Sequence, residues 1–544
     1  MRLAILILLA GFTASPFAAA QSPMVVTGTG GKDKRTRKIA AAIDKALAAD
    51  WAERKITPAV EADDAEFARR IYLDIVGRIP KVSEVREFED DKTSNKRGIL
   101  VDKLLQKPSY AVHMASVLRA AWLPETLTDI NVQYLGMQYE DWLRKQLLVN
   151  APLDKIVRRT LTANIQIGGP RNFRAIDPLG YNADDAALQA FYNAGLMKPE
   201  NLGSTVTRAF LGVKLECAQC HDHPFAPYTR NQFWEFAAFF GELTPQPRML
   251  ASFEGPLLPQ YQFNTLTIPD STKVVSAKFM DGTVPQWNER RTPRVELADW
   301  ITDEKNPYFA RNIANRLWHQ FFGIGLIDPV DEPGEANPAS HPELLTELAK
   351  AIIDAEYDLR IVIRGLAASR AYNLSSKQTH PSQSDPRRFA RMNLKGLTGH
   401  QIYDSFATAT GIKQGLPRNQ DYYDQGLQMG RFGFRNLFPS TARPTETQTS
   451  ILQALMMMNS KLIADQTSLD KSEILAAIAD APFLDTDKKV EAIFFAALTR
   501  KPTAEEREKF TSYVDRGGPT GDTGKALCDV FWVLLNTTEF LFNH

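Results

Sequence analysis

Phe67-Ala-Arg-Arg-Ile-Tyr-Leu-Asp-Ile-Val-Gly-Arg-Ile-Pro80 is the stretch on which the fold class turns. Phe67, Ile71, Tyr72, Ile75 and Val76 recur every three or four residues, the period of a helix that buries one face. The same period runs through 96–106, 109–121, 138–148, 183–195 and 204–213. Upstream, a flexible Gly- and Lys-rich lead at 28–34 passes into a helix over 37–51. Residues 244–292 change character: prolines are frequent, and 260–268 and 273–279 alternate with period two. Helical periodicity returns from Arg294 to the C-terminus, broken by a polar loop near 374–386 and a Gly-, Arg- and Pro-rich segment at 413–447. The expectation is a mainly α, multi-helix, two-domain protein with a small β or irregular element in the middle. Its divisions fall at 1–20, 21–60, 61–243, 244–292 and 293–544.

The two ends echo each other. Ile71 to Arg78, then Pro80 and Phe88, match Ile493 to Arg500, then Pro502 and Phe510, with the same spacing. Leu104-Leu-Gln-Lys-Pro-Ser-Tyr110 matches Leu534-Leu-Asn-Thr-Thr-Glu-Phe540. Each reads as a helix, a Pro-initiated second helix, and a third ending in an aromatic plug, a packing device without chemistry of its own.

Bulk properties narrow the function. The 544 residues carry 64 Lys plus Arg and 64 Asp plus Glu, so nothing in the charge balance attracts nucleic acid or an anionic membrane. Met1-Arg2, the apolar run Leu3–Ala10 and the A-x-A pattern ending at Ala20 read as a signal peptide, placing the mature chain in the periplasm or outside the cell. No stretch is long and apolar enough for a transmembrane helix. With three Cys in 544 residues, burial and not disulfides must stabilise the fold, and Cys528 sits in an apolar run as an inert thiol.

Against that background stands Cys217-Ala-Gln-Cys220-His221. Two thiols three apart can each add to a haem vinyl group while the adjacent imidazole ligates the iron. Three other readings stay open: a Cys217–Cys220 disulfide, a zinc or other transition-metal site in which His221 and His223 join the two thiols, and a tight turn without cofactor. His223-Pro224-Phe225-Ala226-Pro227 cannot continue a helix, so the motif lies in a loop. Thr229 caps the next helix, over 231–240, which carries Phe233, Trp234, Phe236, Phe239 and Phe240 up to Gly241. Phe225, Phe233 and Trp234 are the candidates to cover a haem edge, although any core helix has the same composition.

An electron-transfer haem needs a second axial ligand. His223 is too close to His221 to reach the opposite face; His113, His319, His400 and Met280 are the distant candidates. His319 beside Trp318 reads equally as an ordinary core histidine, and His341 as part of a capping box of Ser340, Pro342 and Glu343. The acidic run 328–335 reads as a solvated loop, and Met456–Met458 as core filler. G-x-S-x-G, H-E-x-x-H, a Walker loop and G-x-G-x-x-G are all missing, which gives hydrolysis and nucleotide chemistry no anchor.

These motifs, with Phe210-Leu-Gly-Val-Lys-Leu-Glu-Cys-Ala-Gln-Cys-His-Asp-His-Pro-Phe225, Asn315-Arg-Leu-Trp318, Ser340-His-Pro-Glu-Leu-Leu345 and Leu534–Phe542, resemble the secreted planctomycete cytochrome-like proteins. In those proteins a cytochrome-type domain precedes a planctomycete C-terminal domain of unknown function. The resemblance implies export and haem c on Cys217 and Cys220 with His221 as ligand, with the redox partner unidentified; the metal-site reading goes with a structural or polysaccharide-associated role, and the cofactor-free reading with a cell-surface interaction protein. Gln320 stands where related stretches place a histidine.

Overall fold

Helix α1 (Lys34–Glu53) shows how the sequence assembles this molecule. Its buried residues Thr36, Ile39, Ile43, Leu47 and Trp51 form a single stripe. That stripe lies on α13 (Pro342–Asp354) and α14 (Leu359–Ala368), three hundred residues away in the chain. The fit is close: a Cβ on Gly365 would stand 2.5 Å from Ile39 Cγ2, so only glycine admits the approach.

The computed structural model describes residues 34–129, 131–165, 183–224, 226–243, 264–288, 290–412, 434, 438, 445 and 451–544. The stretch read above as a signal peptide, residues 28–33 of the lead, and all but three residues of the 413–447 segment lie outside these.

The chain is mainly α, as its periodicity requires. After α1 come α2 (Asp64–Val76), α3 (Val82–Asp90), α4 (Lys96–Leu105), α5 (Pro108–Trp122), α6 (Gln133–Leu148), α7 (Leu153–Leu161), α8 (Ala183–Ala194) and α9 (Pro199–Val206). The helix expected over 204–213 begins earlier and ends in a π-helical turn, Thr207–Leu211, closed by Gly212 at φ +67°. Helix α10 (Arg230–Ala237) precedes a two-stranded antiparallel hairpin, β1 (Thr265–Thr267) and β2 (Val274–Ser276), with Leu266 opposite Val275. The alternating pattern over 260–268 and 273–279 therefore does form strands, shorter than the pattern; residues 260–263 are not described. Helices α11 (Pro293–Thr302), α12 (Phe309–Phe322), α13 and α14 follow, then β3 (Lys395–Gly396) and α15 (Gly399–Thr410). The C-terminal part holds α16 (Ile451–Asn459), α17 (Lys461–Gln466), α18 (Glu473–Ala479), α19 (Thr486–Leu498), α20 (Ala504–Asp515), α21 (Thr523–Leu535) and β4 (Phe542–Asn543), which pairs with β3. Among the described residues no helix is long and apolar enough to cross a membrane.

Among the described residues two hydrophobic clusters form. The larger runs from Ile39 to Met392 and includes the residues under the Cys-containing loop. The smaller joins Leu73 and Ile79 to α15, α19 and α21. The face of α2 opposite Phe67 thus serves the second cluster, which is why α2 is buried almost all round.

Polar groups buried along α2 tie the clusters together. Arg69 donates to the carbonyls of Glu539, Phe540 and Phe542. Asp74 accepts from Lys395 Nζ at 2.6 Å, Asn543 Nδ2 at 2.8 Å and the Tyr372 hydroxyl at 2.8 Å. Each otherwise costly buried group is matched by a partner from a distant segment.

The sequence echo is a structural one. Helices α2 and α19 both end in a left-handed residue, Gly77 at φ +75° and Thr499 at φ +65°. The next residue makes the same latch in each copy: Arg78 grips Glu84 at 3.0 and 3.2 Å, and Arg500 grips Glu506 at 2.8 and 2.9 Å. Both glutamates also accept the backbone N–H three residues earlier, of Lys81 and Thr503. Although burial pushes Glu84 up, Arg78 and Lys107 hold it at about 2, and Arg500 brings Glu506 to about 2.

The capping-box reading at Ser340 is corrected. Ser340 Oγ lies 3.0 Å from His341 Nδ1, and His341, not Ser340, occupies the cap of α13 without a side-chain cap bond. Of the three methionines, Met457 is core while Met458 is exposed, because one face of α16 looks outward.

Candidate functional site

Glu216–Gln219 forms a single 3-10 turn, with Cys220 directly after it. Residues i and i+3 of such a turn eclipse one another, so the spacing that repeats Cys after three positions puts both thiols on one side. Ala218 faces the other way and is fully buried, its N–H bonded to Leu215 O at 2.8 Å. Cys217 and Cys220 are consequently both exposed and unbridged.

His221 is exposed beside them. Its Nδ1 lies 2.7 Å from the Asp222 carbonyl oxygen. A carbonyl only accepts, so that bond requires the proton on Nδ1 and leaves the neutral ring with a bare lone pair on Nε2. Asp222 is held in turn: its carboxylate accepts the Arg230 N–H at 2.8 Å, at the start of α10. A negative group at a helix N-terminus is favoured by the peptide dipoles as well. The loop between is closed by His223 N–H to Tyr228 O at 2.8 Å and Tyr228 N–H to Ala226 O at 2.8 Å. Thr229 caps α10 as expected, in a reciprocal box with Gln232. Phe225 lies outside the described residues.

The aromatic helix differs from expectation in its end. It stops at Ala237 and continues as a 3-10 turn, Ala238–Leu243, through Gly241. Phe233 and Trp234 point into the core, with their rings in edge contact at 5.3 Å. Trp234 Nε1 donates to the Gln219 carbonyl at 3.1 Å, and Arg230 Nε donates to the same oxygen at 3.3 Å. From Phe239 an aromatic row runs through Phe279 (5.1 Å) to Trp300 (4.8 Å), joining the helix to the hairpin and α11.

Upstream, Arg208 bridges Glu216 and Glu125, at 3.3 Å each. Burial raises Glu125 above the usual carboxylate range. Arg208, Asp222 and the Gln219 carbonyl escaped the sequence reading. Only Asp222 left a trace there, as a short acidic residue just before a Pro-containing loop and a Thr-x-x-Gln cap.

The distant ligand candidates are scattered. His113 and His400 line a separate cavity of about 90 Å³ with Ser116, Arg119 and Lys395, none of them in the Cys-containing loop. His400 Nδ1 is 2.9 Å from Ser116 Oγ. His319 is partly buried on α12, and desolvation, then Arg316 and Lys395, push it down to about 4. Met280 is buried beyond the hairpin. Among the described residues no three His, Cys, Asp or Glu side chains gather to hold a metal ion, so Cys217, Cys220, His221 and His223 do not converge on one point.

The donor set fits covalent haem attachment: two accessible thiols on one side of a turn, and an imidazole with its Nε2 lone pair available. Trp234 braces the turn from behind through the Gln219 carbonyl.

Residues 42–244 match the family model PSCyt2, described as a protein of unknown function (DUF1549). Residues 293–431 match PSD1, likewise a protein of unknown function (DUF1553). Both fit the planctomycete cytochrome-like family. No curated protein and no solved structure matches the chain. The Cys217–His221 run lies near the end of the PSCyt2 match, and the β1–β2 hairpin falls between the two matches. The first copy of the latch lies inside PSCyt2, whereas the second, from α19 onward, lies beyond both matches.

Proposed function

We propose that this chain is an exported c-type haem-binding protein that carries electrons for an unidentified redox partner in the periplasm or outside the cell. One observation carries the proposal: Cys217, Cys220 and His221 are presented together on one exposed turn, with His221 Nδ1 engaged by the Asp222 carbonyl. Cys217 and Cys220 would form the thioethers, and His221 Nε2 would ligate. The Asp222 carbonyl fixes the ring's tautomer and plane, as outer partners of ligating histidines do. When bound, the haem supplies one-electron redox chemistry. The balanced charge of the chain argues against nucleic acid as partner.

The test is purification from an exporting host with intact cytochrome c maturation. The expected product shows a Soret band, a denaturation-resistant haem stain and an intact mass of one polypeptide plus one haem. Cys217→Ser keeps at most one thioether. A mass equal to the processed polypeptide alone would overturn the proposal, and stoichiometric zinc in its place would assign Cys217, Cys220, His221 and His223 to a metal.

A further inference from the structure

We infer that Trp234, assisted by Arg230, is a positioning residue that sets the relative placement of Cys217 and Cys220 by gripping the Gln219 carbonyl between them. The inference rests on the reading above for its functional meaning, and on hydrogen bonds at the turn for its geometry.

A single 3-10 turn is a weak element. Its bonds are poorly aligned and it cannot persist without outside support. In residues 216–220 that support is lopsided. Ala218 anchors one side by burial. The carbonyl just before Cys220 receives two donors from α10, Trp234 Nε1 at 3.1 Å and Arg230 Nε at 3.3 Å. Arg230 also donates from its terminal nitrogen to Pro269 O at 3.2 Å, tying the turn to the hairpin, and from its backbone to Asp222 at 2.8 Å. Trp234 is 3% exposed, so its ring is fixed by packing and its N–H cannot swing away to water. Gln219, Asp222 and α10 thereby form one rigid frame around the two thiols.

Rigidity matters because the two attachments differ in kind. Each thiol adds S–H across a vinyl C=C: a C–S bond forms, the π bond breaks, and the proton ends on the neighbouring carbon. The first addition needs only an accessible thiol. The second must find its vinyl from a position the first has already set, so it depends on the spacing that the turn imposes.

Trp234→Phe keeps the buried ring and removes the N–H; Arg230→Met removes the second donor. Both are produced as full-length exported protein in the host used above. Two quantities are measured: the ratio of doubly to singly attached haem, by mass after proteolysis and by the absorption shift of a retained vinyl, and amide hydrogen exchange across 216–223. With helix content and unfolding midpoint as in wild type, Trp234→Phe is expected to lower the double-to-single ratio and speed exchange in that peptide, each by about two- to tenfold, the worth of one hydrogen bond. Arg230→Met is expected to do the same more weakly. Wild-type exchange and a wild-type ratio in Trp234→Phe would overturn the inference. Faster exchange with an unchanged ratio would overturn the link to attachment, since the turn would be loosened without consequence. Wild-type protein without covalent haem would sink the reading above, while the exchange measurement would still decide whether Trp234 holds the turn.

Discussion

Lys395→Met tests how the two hydrophobic clusters are joined. Lys395 Nζ spends all three protons: on Asp74 at 2.6 Å, and on the carbonyls of Gln320 and Phe321, at the end of α12, at 3.0 and 2.9 Å. Methionine has nearly the same length and volume, so packing is conserved and electrostatics are isolated. Asp74, 1% exposed, would keep Tyr372 and Asn543 as its donors among the described residues, and two helix-end carbonyls would lose theirs. Removing one partner of a buried pair costs about 3–5 kcal/mol, because the remaining charge is stranded. Urea unfolding followed by circular dichroism should report that loss at pH 7 as a lower midpoint with an unchanged slope. The pH dependence sharpens the test. Burial raises Asp74 above the ordinary carboxylate value while Lys395 pulls it back, so removing Lys395 raises it further. A carboxyl whose folded pKa exceeds its unfolded value binds a proton more tightly when folded, and the folded state gains as pH falls through that pKa toward the unfolded one. The deficit of Lys395→Met should therefore shrink on acidification from pH 7 toward the unfolded value of about 4, by at most about 1.4 kcal/mol per pH unit. Adding Asp74→Asn, which removes the stranded charge, should recover most of the loss. A cost below about 1 kcal/mol, or a deficit constant over this range, would refute the assignment of Asp74–Lys395 as a charged pair holding the clusters together.

Gly77→Ala should lower stability by about 2 kcal/mol or more, since φ is +75° and the new Cβ would stand 2.5 Å from His113 Nδ1; calorimetry of the variant against wild type measures it. His319 should stay neutral in the folded protein down to about pH 4, so its ring signals in NMR should not titrate above pH 5. Because the unfolded chain binds that proton near pH 6.5, stability should fall on acidification between about 6.5 and 4, and His319→Gln should flatten the slope by up to about 1.4 kcal/mol per pH unit. Arg500→Leu should cost more than Arg78→Leu. Arg500 holds Glu506 and also Glu539 at 2.6 and 2.7 Å, whereas Glu84 keeps Lys107 at 2.6 Å when Arg78 is gone. Equal denaturation midpoints for the two variants would contradict that ordering.

What the sequence disclosed follows the reach of each signal. Periodicity is a local property, and α4, α5 and α8 sit within a residue or two of the apolar stripes that announce them. Thr229 was legible as a cap because capping is settled within a few residues; the box it closes with Gln232 came from the structure. The same rule failed at Ser340, where the hydroxyl went to the neighbouring His341 ring, a competition that composition does not reveal. The π turn at Thr207–Leu211 escaped because it is stabilised from outside: Asn312 donates to Ala209 O at 2.8 Å and Arg316 to Arg208 O at 2.7 Å, both from α12. At the site, the C-x-x-C-H spacing disclosed the donors, and their common exposure follows from the three-residue offset. The role of Trp234 did not, because an aromatic residue with helical spacing reads as buried whether it lines a pocket or supports a turn.

The duplicated latch carries one step further. In both copies an arginine after a left-handed residue clamps the glutamate of the next helix, yet the copies spend the remaining charge differently. Glu84 takes Lys107 from the loop leading into α5, whereas Arg500 takes Glu539 from the C-terminal turn. The polarity of the third contact is thus inverted: the glutamate carries it in the first copy and the arginine in the second. One geometric device has been fitted to two neighbours of opposite charge, and the third segment it recruits is in each case the one that carries the aromatic plug, Tyr110 or Phe540. An ion pair partly open to water contributes little energy of its own. Its use here is directional, fixing where the plug enters the core, so that the two hydrophobic clusters are closed by the same construction at opposite ends of the chain.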